Sequence, residues 1–184
     1  MAGPIFRPAA PDDIETLIEM MREFYAHEGL TFDEAIARRA LRGIVGDETF
    51  GRVFLIIQAD KVAGYAVLTF GYSLEFHGRD AFVDEIYLRD EYRGQGIGSH
   101  ALEFLTGVCA ENGVNALHLE VERSNTQAQA VYHKFGFEDH DRYLMTKWIR
   151  DHPPAPASLP NPSPDVAPDV APDVAPDAPK GSTT

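Results

Sequence analysis

The residues best suited to chemistry lie in a glycine-rich turn near the middle of the chain. This turn reads Arg93-Gly94-Gln95-Gly96-Ile97-Gly98-Ser99, and it joins a β-patterned run over 81–88 to a helical run that begins near Gly98. Glycine at alternate positions removes every second side chain, so backbone N–H groups can approach a ligand at the positive end of a helix. Such a turn suits a pyrophosphate, although three glycines alone can equally serve a tight strand-to-helix turn.

The spacing of these glycines argues against a dinucleotide-binding turn. That motif requires G-x-G-x-x-G directly after a strand, whereas the glycines here fall at 94, 96 and 98. The preceding β-patterned run also ends several residues too early, because 89–93 intervene. A Rossmann oxidoreductase therefore fits the sequence poorly.

The hydrophobic pattern around the turn predicts a mixed α/β domain with the element order β-α-α-β-β-β-α-β-α-β(-β). Capping and glycine signals predict the helices, over 11–28, from the capping box at 31–34 to Gly46, from Gly98 to 112–113, and from Ser124 or Asn125 to Gly136. Runs of β-branched and aromatic residues predict strands at 4–7, 52–59, 62–72, 81–88 and 114–121, with one or two more in 137–149.

The composition favours one soluble domain over residues 1–150, followed by a tail over 151–184. The chain is 44% hydrophobic and 24% charged, which suits a sizeable core. The tail is rich in proline and repeats Asp-Val-Ala-Pro, so we expect it to be disordered. A net charge of −13 argues against nucleic acid or an anionic membrane as the main partner. Cys109 is the only cysteine and the first ten residues lack a signal-peptide pattern, so we expect a cytoplasmic protein.

Three segments together resemble the GNAT superfamily of N-acetyltransferases, over roughly residues 5–149. The turn at 93–98 is similar to the acyl-CoA pyrophosphate loop of that family, Q/R-x-x-G-x-G/A. The preceding 83–92 looks like the strand and short loop that lead into it, and 125–137 is similar to the second family motif. The order and spacing of the three segments carry the resemblance. It implies a mostly antiparallel central sheet that is splayed at the cofactor site and flanked by helices.

The resemblance also implies acetyl-CoA as the co-substrate. The amides from Gly94 to Ser99 would cradle the pyrophosphate, with the Ser99 hydroxyl and the Arg93 guanidinium as additional donors. Asn125 matches a position that contacts the cofactor, and it is equally suited to cap a helix. A backbone N–H of Leu88 or a neighbour would donate to the thioester oxygen. In the family, the backbone groups left free for the pantetheine arm correspond here to those of Ile86, Tyr87 and Leu88.

Acetyl transfer to an amine needs an acceptor for the ammonium proton and a donor for the departing thiolate. By resemblance, Tyr132 occupies the position of the general acid. Because a phenol pKa of about 10 exceeds a thiol pKa of about 8.5, we expect a hydrogen bond that strengthens as charge develops on sulfur. Glu85, on the predicted strand before the turn, is the first candidate for the base, and Glu120 and Glu122 are alternatives.

Loops that commonly border the acceptor in this family provide the acceptor-facing candidates. They are His27, Glu28, Glu75 and His77, together with Glu120. Their acids favour an amine or polyamine on a small molecule or a protein, whereas Arg79 and the histidines leave a carboxylated amine open. The scattered histidines lack metal-ligand spacing, so no metal is expected. A homodimer is compatible with the resemblance.

Two modes of action fit this sequence. No nucleophile lies beside an evident base, because Cys109 falls in the middle of a predicted helix, and this favours direct transfer in a ternary complex. The alternative is a non-catalytic acyl-CoA-binding module that senses the cofactor or regulates a partner.

Overall fold

The computed structural model of the protein describes residues 3–149, which form five strands and four α-helices. The strands are β1 (Ile5–Pro8), β2 (Gly51–Gln58), β3 (Lys61–Ser73), β4 (Gly78–Leu88) and β5 (Ala116–Leu119). The α-helices are α1 (Ile14–His27), α2 (Glu34–Gly46), α3 (Ile97–Glu111) and α4 (Thr126–Lys134). The tail predicted over 151–184 lies outside the described residues.

The strands form one open sheet in the order β1-β2-β3-β4-β5. The first four strands pair antiparallel, and β5 pairs parallel to β4. This parallel pairing follows from the connection, because α3 carries the chain back along the sheet before β5 begins. The predicted mixed and mostly antiparallel α/β class is confirmed.

Two apolar cores lie on opposite faces of the sheet. One face packs against α1 and α2, and its most buried side chains include Leu17, Met20, Leu41, Leu55 and Tyr65. The other face packs against α3, and its most buried side chains include Ile56, Leu68, Ala101 and Leu105. The first helix is amphipathic as predicted, since its apolar residues recur at helical spacing on the side that meets the sheet.

A β-bulge interrupts β4 at Asp84. The register passes from Val67 opposite Glu85 to Leu68 opposite Val83, so Asp84 is left without a partner on β3. Before the bulge, Val83 packs into the core beneath α3. After it, the odd-numbered Tyr87 packs on the α1–α2 side. The extra residue therefore reverses which side chains of β4 face which core.

The start of α2 differs from the predicted capping box. Asp33, not Thr31, is the N-cap, and its side chain accepts a hydrogen bond from the backbone N–H of Ile36 at 3.0 Å. Asp33 has an extended backbone (φ −114°, ψ 108°), so the chain becomes helical only after it.

The prediction of one or two strands over 137–149 is wrong, because none of these residues pairs with the sheet. Aromatic and apolar residues such as those at 143–145 and 148–149 form a strand only where a sheet edge accepts it. Side-chain contacts hold the segment instead: Arg142 forms an ion pair with Glu75 at 2.9 Å, and the rings of His140 and Phe76 lie edge to face at 6.2 Å. Within residues 3–149, no helix combines the length and the apolarity needed to cross a bilayer.

Candidate active site

The glycine-rich turn forms an open cradle at the N-terminus of α3. Gly94 and Gly96 have φ angles of 70° and 78°, in the left-handed region that glycine adopts without strain. Within residues 3–149, no heavy atom lies within 4 Å of the position that a β-carbon would occupy at either residue. Gly96 is the N-cap, and no side chain of the described part of the chain caps the helix. The first amides of α3 have no intrahelical acceptor. An anion such as a diphosphate fits these donors and this space.

The sheet opens next to this cradle. β5 pairs with β4 only over 80–83, whereas β4 continues to Leu88. The N–H of Arg89 donates to the carbonyl of Ala63 at 3.0 Å. Because backbone groups alternate between the two edges of a strand, those of Leu88 and Ile86 face the edge that β5 has left. The same alternation turns the backbone groups of Tyr87 toward β3.

The Arg93 guanidinium is held by protein groups at the base of the turn. Its Nε donates to the carbonyl of Leu88 at 2.9 Å, and one terminal nitrogen lies 3.1 Å from Asp90 and 3.1 Å from Nε2 of His27. The side chain of Gln95 also folds back, donating to the carbonyl of Glu91 at 2.7 Å. These contacts fix the turn to the end of β4 and leave its backbone amides as the open donors.

Asn125 is the N-cap of α4, as the sequence predicted. Its Oδ1 accepts from the backbone N–H of Ala128 at 3.0 Å. The Gln129 side chain holds the preceding loop by donating to the carbonyls of Glu122 and Arg123 at 2.9 and 3.1 Å. In this loop, the Glu122 side chain accepts from the Ser124 hydroxyl at 3.2 Å. The connection from β5 to α4 is thus ordered by side chains rather than by the sheet.

Tyr132 lies on α4 and is half-buried. Its ring meets that of Phe137 edge to face, with centroids 5.9 Å apart, because the chain turns back at Gly136 (φ 83°). Burial raises the pKa of the Tyr132 phenol. The hydroxyl is therefore protonated at neutral pH and available as a hydrogen-bond donor.

Glu85 lies on the α1–α2 face and accepts hydrogen bonds from two tyrosines. The Tyr65 hydroxyl donates to Oε2 at 2.6 Å, and the Tyr25 hydroxyl donates to Oε1 at 3.2 Å. Burial raises the Glu85 pKa, the nearby Asp84 carboxylate adds to the rise, and the two phenols oppose it. Glu85 is therefore a stronger proton acceptor than a solvent-exposed glutamate.

A second polar cluster joins α1 to the end of β4. Glu23 accepts from the Tyr87 hydroxyl and from Nε of Arg89, both at 3.0 Å, and Arg89 also pairs with Glu19 at 3.3 Å. Burial, with the Glu23 hydrogen bond, raises the Tyr87 pKa to about 12. These side chains, together with His27 and Arg93, border an open depression of about 670 Å³.

Similarity to known proteins identifies the fold and the family. The profile of the acetyltransferase (GNAT) family matches residues 14–137. The chain belongs to this family. The thialysine N-epsilon-acetyltransferase of Bos taurus is 31% identical over 148 residues, which cover 76% of this chain and 86% of the relative. An integron cassette protein from the Cole Harbour Salt Marsh metagenome is 34% identical with a TM-score of 0.71, covering 82% of this chain and 92% of that chain.

The same fold recurs in more distant solved structures. A predicted acetyltransferase from Clostridium acetobutylicum, solved with acetyl-CoA, has a TM-score of 0.67 at 19% identity, covering 78% of this chain and 96% of that chain. The cradle of this GNAT chain, with its unfilled β-carbon positions and uncapped helix, fits the diphosphate of such a co-substrate.

The structure separates the acceptor-facing candidates of this GNAT chain. His27 and the neighbouring Glu28 lie at the end of α1, and His27 contacts Arg93. Glu75 and His77 lie in the turn before β4, roughly 30 Å of strand from the glycine-rich turn. There Glu75 pairs with Arg142, and the His77 carbonyl accepts from Asn115.

Glu75 and His77 lie at the opposite end of β4 from the glycine-rich turn, and they stay candidates from the sequence. Glu120 is exposed directly after β5, level with the middle of β4 because Leu119 pairs with Val83. It stays a candidate from the sequence.

Sequence reasoning missed Tyr25, Tyr65 and Glu23. Tyr25 matches the apolar face of α1, and Tyr65 sits among aliphatic residues of β3, so both patterns predict core packing. Only the tertiary structure brings their hydroxyls to Glu85, across 60 and 20 residues of chain.

Covalent catalysis finds no support at Cys109. The thiol lies on the buried face of α3, and burial raises its pKa to about 11, whereas a nucleophilic cysteine needs a lowered pKa and access to substrate. Among the described residues, no three histidine, cysteine or acidic side chains are placed to hold a metal ion.

Proposed function

We propose that the protein transfers the acetyl group of acetyl-CoA to a primary amine of a small molecule, by direct attack within a ternary complex. One observation carries the proposal. The open cradle at 94–99 lies next to the splayed edge of β4, and the same strand presents the basic carboxylate of Glu85 on the face that packs against α1 and α2. One continuous stretch of chain thereby provides both the groups that bind the cofactor and the carboxylate that accepts the proton.

Similarity to the thialysine N-epsilon-acetyltransferases narrows the proposed acceptor. Those relatives act on an aliphatic primary amine, as their name states, and they match most of this chain. The acidic side chains Glu85, Asp84 and Glu23 suit a cationic amine near the end of α1. A small amine with a flexible aliphatic arm is therefore the proposed class of acceptor, and a protein amine is the second choice.

Glu85 would begin the reaction by accepting a proton from the acceptor ammonium. The neutral amine then attacks the thioester carbon, and the Leu88 backbone N–H, on the open edge of β4, donates to the oxygen as charge develops on it. The carbon–sulfur bond breaks as the tetrahedral intermediate collapses. Because burial raises the Tyr132 pKa further above that of a thiol, Tyr132 would stabilise the departing sulfur through a hydrogen bond.

An acceptor screen with thiol detection tests this proposal. The full chain is incubated with acetyl-CoA and thialysine, lysine, linear diamines, polyamines or a peptide with a free N-terminus, and free thiol is measured. We expect turnover with at least one small aliphatic amine. If calorimetry detects acetyl-CoA binding but no amine releases thiol, the non-catalytic module is the better description. If calorimetry detects no heat with acetyl-CoA, both the acetyltransferase and the non-catalytic acyl-CoA-binding module are contradicted.

A further inference from the structure

The two tyrosines on Glu85 differ in how firmly they are held. Tyr65, on β3, has no exposed surface and lies opposite Tyr87 in the β-ladder, with ring centroids 5.9 Å apart. Tyr25 lies two residues before the end of α1 and is only partly buried, and its ring packs edge to face on Phe24 and Phe32. The first phenol is anchored in the core, and the second lies at the margin of the domain.

Their hydrogen bonds differ in the same sense. Tyr65 donates to Oε2 of Glu85 at 2.6 Å, a short contact for a phenol and a carboxylate, whereas Tyr25 donates to Oε1 at 3.2 Å, beyond the usual O–H···O range. Each carboxylate oxygen can accept more than one hydrogen bond. Because Oε1 has the longer hydrogen bond and the less buried partner, it is the oxygen whose present partner is easier to replace.

We propose that Tyr65 is a positioning residue that fixes the Glu85 carboxylate, and that Tyr25 occupies Oε1 until the acceptor ammonium takes its place. This inference deepens the proposed function and rests on it. The ammonium donates to Oε1 and then transfers its proton there, which leaves a neutral amine and a carboxylic acid. The amine attacks the thioester carbon, and the carbon–sulfur bond breaks. The second proton that the nitrogen loses passes to the departing thiolate, which leaves as the free thiol, and Glu85 later returns its own proton to water.

Few other groups govern the charge of Glu85. α2 and β2 face this core with aliphatic residues, among them Ala37, Leu41, Val53 and Leu55. On β4, the neighbouring Asp84 carboxylate raises the Glu85 pKa. Tyr87, further along the strand, donates its hydroxyl to Glu23. The two phenols are thus the groups whose removal tests the assignment most directly.

The test compares Tyr65→Phe, Tyr25→Phe and the matched control Tyr143→Phe, whose hydroxyl belongs to a side chain that is 84% exposed. Carboxyl-carbon NMR of the free protein follows the Glu85 titration, with Glu85→Gln assigning its signal. Loss of the Tyr65 donor should raise the Glu85 pKa by about one unit and move the acidic limb of kcat/KM to higher pH by the same amount. Tyr143→Phe should move neither.

Tyr25→Phe should shift the Glu85 pKa less than Tyr65→Phe does, and should leave kcat within about twofold while KM for the amine is unchanged or lower. A fivefold rise in KM at constant kcat would overturn the exchange, because Tyr25 would then bind the amine. If Glu85 has the same pKa in Tyr65→Phe as in the wild-type protein, the positioning role of Tyr65 is overturned.

If Tyr65→Phe does not fold, Glu85→Asp withdraws the carboxylate from Tyr65 by one methylene and leaves the phenol in place. We then expect kcat to fall at least tenfold with KM little changed, and unchanged kcat would contradict the positioning role. If the wild-type protein acetylates no amine, the proposed function fails, whereas the NMR titration still decides whether Tyr65 governs Glu85.

Discussion

The Nε atom of Arg93 donates a hydrogen bond to the carbonyl oxygen of Leu88, at a distance of 2.9 Å. The first residue of the glycine-rich turn is thereby fixed to the last residue of β4, which belongs to the open edge of the sheet. The side chain that the sequence predicted to add charge toward the pyrophosphate makes contacts here that set where the turn lies relative to the strand.

Substitution of Arg93 should therefore weaken the binding of acetyl-CoA, more because the position of the turn changes than because a positive charge is lost. Arg93→Lys keeps the positive charge but loses the Nε donor and the fork geometry, so we expect it to lower acetyl-CoA affinity about as much as Arg93→Gln, by roughly fivefold to thirtyfold. Calorimetry at two salt concentrations measures this. If Arg93→Lys retains wild-type affinity and salt dependence, the guanidinium acts as a simple charge.

Gly96→Ala should weaken acetyl-CoA binding, and Gly96→Asp should weaken it more, because a side chain and then a like charge enter the cradle. Gly113→Ala is the matched control, since Gly113 also has a positive φ (64°) and open space around it, but lies at the far end of α3. Both alanine variants should lose about 1 kcal/mol of stability. Only the Gly96 variants should raise the dissociation constant, by tenfold or more, as measured by calorimetry. Equal affinities in the two alanine variants would place the diphosphate elsewhere.

Two substitutions separate the two roles expected of Asn125. Asn125→Ala removes the N-cap of α4 and should cost about 1 kcal/mol of unfolding free energy, whereas Asn125→Asp keeps a capping acceptor and most of the stability. If Asn125 also contacts acetyl-CoA, the aspartate variant should bind it more weakly because of its negative charge. Urea denaturation and calorimetry measure the two effects. Wild-type affinity in Asn125→Asp would leave only the capping role.

Tyr132→Phe should lower kcat by about a hundredfold while acetyl-CoA affinity stays within twofold, because a hydrogen bond to the departing sulfur acts only as charge develops. Single-turnover and steady-state assays over a range of pH report the effect, with Tyr143→Phe as a control for loss of an exposed hydroxyl. Turnover at the wild-type rate at every pH would remove Tyr132 from the mechanism.

Glu85→Gln should lower kcat by two to four orders of magnitude and should change the pH dependence of stability. Because the folded-state pKa of Glu85 is raised, the carboxyl stabilises the fold fully below its unfolded pKa of about 4.5, and this stabilisation is lost as pH rises through the raised value. Urea denaturation should show the wild-type protein losing stability relative to Glu85→Gln over that rise.

Glu75→Gln provides a control of opposite sign for the same measurement. Arg142 lowers the Glu75 pKa, so the stabilisation from this exposed pair is present above the unfolded pKa and is lost as pH falls through the lowered one. The effect should be small because the pair is exposed to solvent. If the wild-type protein gains stability relative to Glu85→Gln as pH rises, the raised pKa of the Glu85 carboxylate is contradicted.

Local signals in the sequence predicted the parts of the site that depend on local geometry. The side-chain-free turn at 94–98 and the cap at Asn125 each depend on a few neighbouring residues, and the sequence indicated them. The partners of Glu85 could not be predicted, because hydroxyls on α1 and β3 reach it only after the sheet has formed. The strands expected over 137–149 failed for a related reason: aromatic and apolar residues favour a strand, but do not show whether a neighbouring strand accepts it.

The unpaired residue at Asp84 has a consequence for how this domain tolerates change. If β4 kept all its residues but lost the bulge, the two faces beyond Val83 would be exchanged: Ile86 would point toward Tyr25 and Tyr65, and the proton acceptor would be buried against the helix that follows the cradle. Deletion of Asp84 itself would leave Val83 opposite Leu68 and Glu85 opposite Val67 in a regular ladder, so the domain should tolerate loss of this one residue. The direction of the proton acceptor therefore depends on the pairing register, and not on the number of residues in the strand alone.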